Sequence, residues 1–299
     1  MKKQHIYKAY GLLFSSELLI PELVEAQGTP DAVIKMGVVP DSLLNPVGVG
    51  ARFQATPQEF LLRLNSVAGF YVTGGNEITV EPWGVDNDLE IRLFLLGSVF
   101  GALLQQRGYL VLHGSSIEIN GQGVIFTGVS GIGKSTLAAA FENKGYKVLT
   151  DDVCAINIDQ DGVPYILPGF PSLKLWKDAA ARMGADVTGL APVISNRDKF
   201  RIDIETSFYD QPIRLQNIFV LGTNDTSDIK LAEVAGMGKL ESVIKNTYRY
   251  RFLKGQGVRQ LHFKQCTCVA NKAAIYNVFR PKSGFMLDEL VSAIEKEIG

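Results

Sequence analysis

A mixed α/β domain over residues 86–299, with a β-rich segment over residues 1–85 packed against it, is the fold class this sequence predicts. Three observations lead there. Short alternating apolar runs, separated by Gly, Pro and Asn clusters, fill the first 85 residues. The apolar run Val124-Ile125-Phe126-Thr127 feeds directly into the glycine-rich stretch GVSGIGKST at 128–136, and an alanine-rich helical pattern follows. A further apolar run then delivers the pair Asp151-Asp152.

Taken in order, Ala32-Val33-Ile34-Lys35-Met36 and Phe70-Tyr71-Val72-Thr73 alternate at the period of a strand, and Gly74-Gly75-Asn76 marks a hairpin turn. A helix is predicted to start near Asp88, where Asn87 can cap it and Glu90 completes a capping-box pattern, and to stop at Gly108. Its most apolar part, 93–104, is too short to cross a bilayer and reads as a buried helix. Strands are predicted at 109–113 and 116–119, then a turn at Asn120-Gly121, then a strand at 124–127. The helix at 134–144 should end with Gly145 in the position after the C-cap, and 146–150 should return as a strand. A strand, helix and strand of this length predict a right-handed crossover between parallel strands. The glycine loop and the aspartate pair would then share the carboxyl ends of adjacent strands, where open α/β sheets bind ligands. Beyond them, Pro168-Gly169-Phe170-Pro171 forces an irregular connection. Residues 173–183 read as a helix, 200–204 and 218–221 as strands, and 285–298 as an amphipathic terminal helix.

Composition narrows the function classes. At 299 residues, 46% hydrophobic and 20% charged, the chain can build a core without staples. A formal charge of −1 excludes a general basic field for nucleic acid or acidic membranes, and the short run Tyr248-Arg249-Tyr250-Arg251 does not change that. Three cysteines, Cys154, Cys266 and Cys268, are too few for a disulfide framework and point to reduced thiols in a cytoplasm. No second pair joins Cys266 and Cys268 to complete a metal site. Lys8, Glu17 and Pro21 interrupt the apolar start, which lacks the pattern of a signal peptide. The expectation is a cytoplasmic protein with neither a nucleic-acid nor a membrane partner, and a homo-oligomer is compatible with it.

The chemistry concentrates around the glycine loop. Gly128, Gly133, Lys134 and Ser135 fit the phosphate-binding pattern G-x-x-x-x-G-K-[ST]. Glycines at 128, 131 and 133 let backbone N–H groups along Ser130, Gly131, Ile132, Gly133 and Thr136 converge on phosphate oxygens at the start of a helix. Lys134 adds a charge beside the β- and γ-phosphates, and the Ser135 hydroxyl can ligate Mg²⁺, so ATP and Mg²⁺ are the expected cofactors. Of Asp151 and Asp152, one carboxylate can hold Mg²⁺ and the other accept a proton from an attacking hydroxyl. His113 can tune those carboxylates or handle a proton, or it is a buried structural histidine; His5 and His262 read as structural. Arg197 and Lys199, in a short basic cluster, are candidate contacts to nucleotide or substrate, with solvated surface as the plainer alternative.

Over residues 112–152, LHG…GVIFTGVSGIGKSTLAAAFENKGYKVLTDD, the sequence resembles the HPr kinase/phosphorylase family. It looks closest to the HPr kinase-related branch that includes kinases of lasso-peptide gene clusters. His113 precedes the glycine loop as the family's active-site His does, and Asp151-Asp152 falls where the family carries its catalytic Asp pair. Pro168-Gly169-Phe170-Pro171 with Lys174-Leu175-Trp176, and Arg280-Pro281, echo the related branch further out. The resemblance implies a P-loop domain with a mixed central sheet, of the HPr kinase and phosphoenolpyruvate carboxykinase type. It implies Asp151 as the base on the acceptor hydroxyl, with Asp152 and Ser135 serving Mg²⁺. Val129 and Thr136 stand where HPr kinases typically have Asp and Glu, so HPr as substrate and phosphorolysis do not carry over. What carries over is ATP-dependent phosphorylation of a serine hydroxyl on a peptide or protein, in the lasso-peptide relatives the C-terminal serine of the precursor. A small-molecule hydroxyl kinase and a non-catalytic ATP-binding regulator are the alternatives.

Overall fold

The computed structural model describes residues 4–84, 87–183, 198–282 and 286–299, apart from the side chain of residue 182. The first part of the chain forms β1 (His5–Ala9), β2 (Leu12–Ser16), β3 (Val24–Glu25), β4 (Ala32–Met36), β5 (Gly48–Val49) and β6 (Phe53–Ala55). It continues with β7 (Glu59–Leu64), β8 (Ala68–Thr73) and β9 (Glu77–Pro82). All nine join one sheet in the order β3-β1-β2-β4-β9-β8-β7-β6-β5. The β8–β9 hairpin turns at Gly74 and Gly75, both at positive φ, as the Gly-Gly-Asn signal predicts.

Helix α1 (Asp88–Phe94), a π-helical turn (Leu95–Val99) and α2 (Phe100–Gln106) follow as one continuous rod. Every residue from Leu95 to Gln105 is buried, as the apolar run predicts. The capping box does not form at its start. The Asn87 side chain caps nothing and instead donates to the Val67 carbonyl at 2.7 Å, tying the rod to the nine-stranded sheet.

The remaining strands are β10 (Leu110–Ile119), β11 (Gln122–Gly128), β12 (Lys147–Ile158), β13 (Pro164–Ile166), β14 (Ser172–Trp176), β15 (Lys199–Asp203), β16 (Ile213–Asn224), β17 (Lys230–Glu233) and β18 (Ala274–Pro281). Between them lie α3 (Lys134–Asn143), α4 (Lys177–Arg182), α5 (Met237–Lys245), α6 (Tyr250–Gln256) and α7 (Arg259–Lys272), and α8 (Leu287–Ile298) ends the chain. A seven-stranded mixed sheet runs β11-β10-β12-β13-β16-β18-β17, and β11 also pairs with β16. Hydrogen bonding therefore closes a circuit through β11, β10, β12, β13 and β16. The fold is mixed α/β, as predicted.

Three local expectations are corrected. The two strands at 109–113 and 116–119 are one strand, β10, whose pairing shifts register at Ser116/Ile117. The strands flanking α3 are parallel but not neighbours, because β10 lies between β11 and β12 and is antiparallel to both. Asp151 and Asp152 accordingly sit within β12 and not at its carboxyl end. Residues 173–183 begin as β14, paired with β15, and turn helical only at Lys177. Tertiary pairing overrides local preference there, since Leu175 and Leu173 are buried against the same core as α3.

Helix α3 ends as its sequence predicts. Gly145 takes φ +95° and donates to the Glu142 carbonyl, while Tyr146 donates to that of Phe141, the paired bonds of a glycine-terminated helix. One face of the mixed sheet is covered by α3 and α8, the other by α5 and α7. A further core joins the nine-stranded sheet and the α1–α2 rod to Val111, Val153 and Ala155 of the mixed sheet. At its centre Phe100 stacks on Phe14 at 4.9 Å between centroids and meets Tyr10 edge-on. Phe100→Ala should cost about 3–5 kcal/mol of stability, as a fully buried aromatic does. Chemical denaturation would measure this, and an unchanged midpoint would show that the two sheets do not share a core.

Candidate active site

The stretch from β11 to α3 has the strand–glycine loop–helix geometry. Gly128, Gly131 and Gly133 all have positive φ. At Gly128 a Cβ would also lie 2.7 Å from the Leu221 carbonyl oxygen, so only glycine fits where the loop leaves the sheet. The loop residues Ser130 to Thr136 line a cleft of about 310 Å³, together with His113, Asp151, Asp152, Lys174, Trp176 and Lys199 among others. The sequence-predicted residues thus converge, with two exceptions. Gly128 lies beneath the loop rather than on the cleft wall, and Arg197 falls outside the described residues.

Lys134 folds back over the loop. Its Nζ donates to the carbonyls of Gly128 at 3.0 Å and Val129 at 3.1 Å. Burial lowers its pKa below the ordinary lysine value, against the pull of Asp152 and Asp151. Ser135 Oγ donates to Asp151 Oδ1 at 2.8 Å, and Ser115 Oγ donates to the same oxygen at 2.6 Å. The Lys174 backbone N–H occupies Asp151 Oδ2 at 3.0 Å. Asp151 is buried, and it accepts two hydrogen bonds at Oδ1 and one at Oδ2.

Asp152 differs in every respect. Its side chain is 30% exposed, its Oδ1 lies 3.2 Å from His113 Nδ1, and its Oδ2 lies 3.5 Å from Lys174 Nζ. Burial works to raise its pKa, but the Lys174 ammonium, then His113 and Lys199, outweigh that and hold the carboxyl far below the usual carboxylate range. Its backbone is left-handed, with φ +77°, inside a strand. Gly97 of the π-helical turn faces the carboxylate closely, since a Cβ there would lie 3.9 Å from Asp152 Oδ2.

Sequence reasoning missed Lys174 as a site residue. It noted the Lys174-Leu175-Trp176 run only as a distant echo, because the strand pairing that turns Lys174 into the cleft is not local. No group of three or more His, Cys, Asp or Glu side chains among the described residues could cage a metal. The Ser135 hydroxyl and Asp151 carboxylate nevertheless suit Mg²⁺, which takes one or two protein oxygens and completes its shell with water and phosphate.

Residues 106–164 match the family model described as the HPr Serine kinase C-terminal domain. The HPr kinase/phosphorylase of Brevibacillus brevis is 31% identical over 121 residues, 36% of this chain and 39% of that protein. That of Clostridium botulinum is 32% identical over 91 residues, 29% of each chain. That of Clostridium beijerinckii is 43% identical over 51 residues, 17% of each. The matches thus span well under half the length of these curated relatives. A solved Hpr(Ser) kinase/phosphatase from Coxiella burnetii covers 63% of this chain and 93% of its own, at 13% identity and a TM-score of 0.32. Across the loop and the aspartate pair, the chain is similar to the HPr kinase/phosphorylase family at modest identity.

Two outcomes follow from the Asp152 geometry. Both Asp152→Asn and Asp152→Val lose the charge, but asparagine tolerates positive φ, so the valine variant should be about 1–3 kcal/mol less stable than the asparagine one; thermal unfolding compares them. A carboxyl with a depressed folded-state pKa contributes stability above its unfolded value and loses that contribution as pH falls through the folded value. Lys174→Met should therefore raise the Asp152 titration toward the ordinary range and move the acid loss of stability to higher pH. Side-chain carboxyl NMR would read the shift, and an unmoved titration would discount the Lys174 contact.

Proposed function

We propose that this chain is an ATP-dependent kinase that transfers the γ-phosphoryl group of Mg-ATP to a serine hydroxyl of a peptide or protein. The observation that carries the reading is the meeting of Lys134, Ser135, Asp151 and Asp152 in one cleft, within a segment related to HPr kinases. When bound, Mg²⁺ supplies charge neutralisation at the β- and γ-phosphate oxygens. Ser135 and Asp151 would hold it, and Lys134 would exchange its two loop carbonyls for phosphate. Positioning and charge neutralisation carry most of such a transfer.

This reading exchanges the roles that the resemblance implied for the two aspartates. Asp151 is buried and shares its Oδ1 with the Ser135 hydroxyl, so it suits a cation held beside Ser135. Asp152 faces the cleft beside His113 and Lys174, so it suits the acceptor hydroxyl, with His113 orienting it. Lys174 holds Asp152 ionised in the resting site, and phosphate arriving in the cleft would compete for that ammonium and free the carboxylate to accept a proton. Lys199, also on the cleft wall, is placed to meet phosphate or acceptor. For the acceptor itself, the C-terminal serine of a lasso precursor peptide rests on the resemblance alone.

Asp152→Asn should keep ATP affinity and lose transfer by about 10²–10⁴-fold, the usual worth of a general base. Asp151→Asn should instead raise the Mg²⁺ concentration needed for half-maximal rate. Single-turnover assays with Mg-ATP and a serine peptide, read by mass spectrometry for added phosphate, separate the two. The opposite pattern would restore Asp151 as base, and two indifferent variants would remove the kinase reading. Lys134→Ala should abolish turnover with little loss of stability.

A further inference from the structure

The cleft is chemically lopsided. On the side of β10, β12 and β14 it presents His113, Asp151, Asp152 and Lys174. On the opposite side of the loop the wall is formed by the ends of β16 and β18 and the first turn of α8, and it is apolar: Leu221, Val278, Leu287 and Leu290, with Met286 beside them. Gly128 pairs with Leu221 of β16, and Leu221 pairs with Val278 of β18, so two parallel strands flank the point where β11 gives way to the loop and run three residues beyond it. Leu221, Val278 and Leu290 are buried in the core under α3 and α8, with Ile132 of the loop and Leu287 half-buried on top. Arg280 closes the rim, its guanidinium donating to the Ile132 carbonyl at 3.4 Å.

A triphosphate threaded through this loop has a fixed direction. Ser135 and Asp151 mark the end where the β- and γ-phosphates lie, and Asp152 stands beyond them. The α-phosphate and everything attached to it must leave on the far side, across Arg280. An apolar floor rimmed by one guanidinium suits a flat heteroaromatic base carried by a charged tail, since the floor desolvates the ring while the cation meets the tail. We infer that the floor made by Leu221, Val278, Leu287 and Leu290, with Arg280 at its rim, seats the base and ribose of the nucleotide. This rests on reading the loop as a phosphate site, and it leaves the exposed Trp176, at the other end of the cleft, to the acceptor.

Calorimetric titration with Mg-ATP and, separately, with Mg-tripolyphosphate tests the assignment, because tripolyphosphate carries the phosphates without a base. Leu287→Glu, placing a charge on the floor, should weaken ATP about tenfold or more while leaving tripolyphosphate affinity nearly unchanged. Retained tripolyphosphate binding certifies that the variant is folded, and Met286→Glu serves should Leu287→Glu fail to fold. Lys134→Ala should weaken both ligands. Unchanged ATP affinity in the floor variants, equal weakening of both ligands, or a loss of ATP affinity in Trp176→Ala instead would overturn the assignment. Parent protein that binds neither ligand would overturn the phosphate-loop reading itself.

Discussion

Successive side chains of a strand point to opposite faces, so two neighbouring carboxylates cannot ordinarily serve one site. Asp151 and Asp152 do line one cleft, and the backbone around them shows how. In the pairing of β10 with β12, Ser116 faces Thr150 and Ile117 faces Val148, so Leu149 is an extra residue on β12 just before the pair. Asp152 then takes a left-handed conformation that aspartate tolerates better than most residues. The site depends on this local irregularity. It puts one carboxylate beneath Ser135 and the other beside His113 and Lys174, and so gives two chemically similar groups different electrostatic surroundings.

Those surroundings contrast with the near-neutral chain as a whole. Three ammonium groups, on Lys134, Lys174 and Lys199, line one cleft with the two carboxylates, and Lys174 and Lys199 act on Asp152. A net charge of −1 excludes a global field but says nothing of such a cluster. A dense local arrangement of opposite charges is also what a phosphate needs. On the proposed reading it would find cations already gathered, with resting partners that can be exchanged for phosphate oxygens.

How much of this was legible in the sequence follows from the range of each interaction. The glycine loop, the hairpin at Gly74-Gly75 and the end of α3 at Gly145 are governed by residues a few positions apart, and the sequence reads them correctly. The insertion of β10 between β11 and β12 is a long-range pairing that no local pattern encodes. Lys177-Asp178-Ala179-Ala180-Ala181-Arg182 is a good helix, and its strength drew the preceding strand into a helical reading. Lys174 escaped notice as a site residue for the same reason, and the assignment of the two aspartates needed side-chain contacts that spacing does not supply.

The core shared between the nine-stranded sheet and the mixed sheet has a consequence for how the molecule could be divided. The segment related to known kinases, residues 106–164, holds the loop and both aspartates, yet it is not a portable cassette. Gly97, from outside that segment, abuts Asp152, and the rod that carries Gly97 is clamped by Phe14 and Tyr10 of the first two strands and their turn. Grafted elsewhere, the motif would arrive without the wall that confines its exposed carboxylate. In this molecule the amino-terminal sheet is a buttress of the cleft edge, and a change in how it seats would register at Asp152 before it registered at the loop.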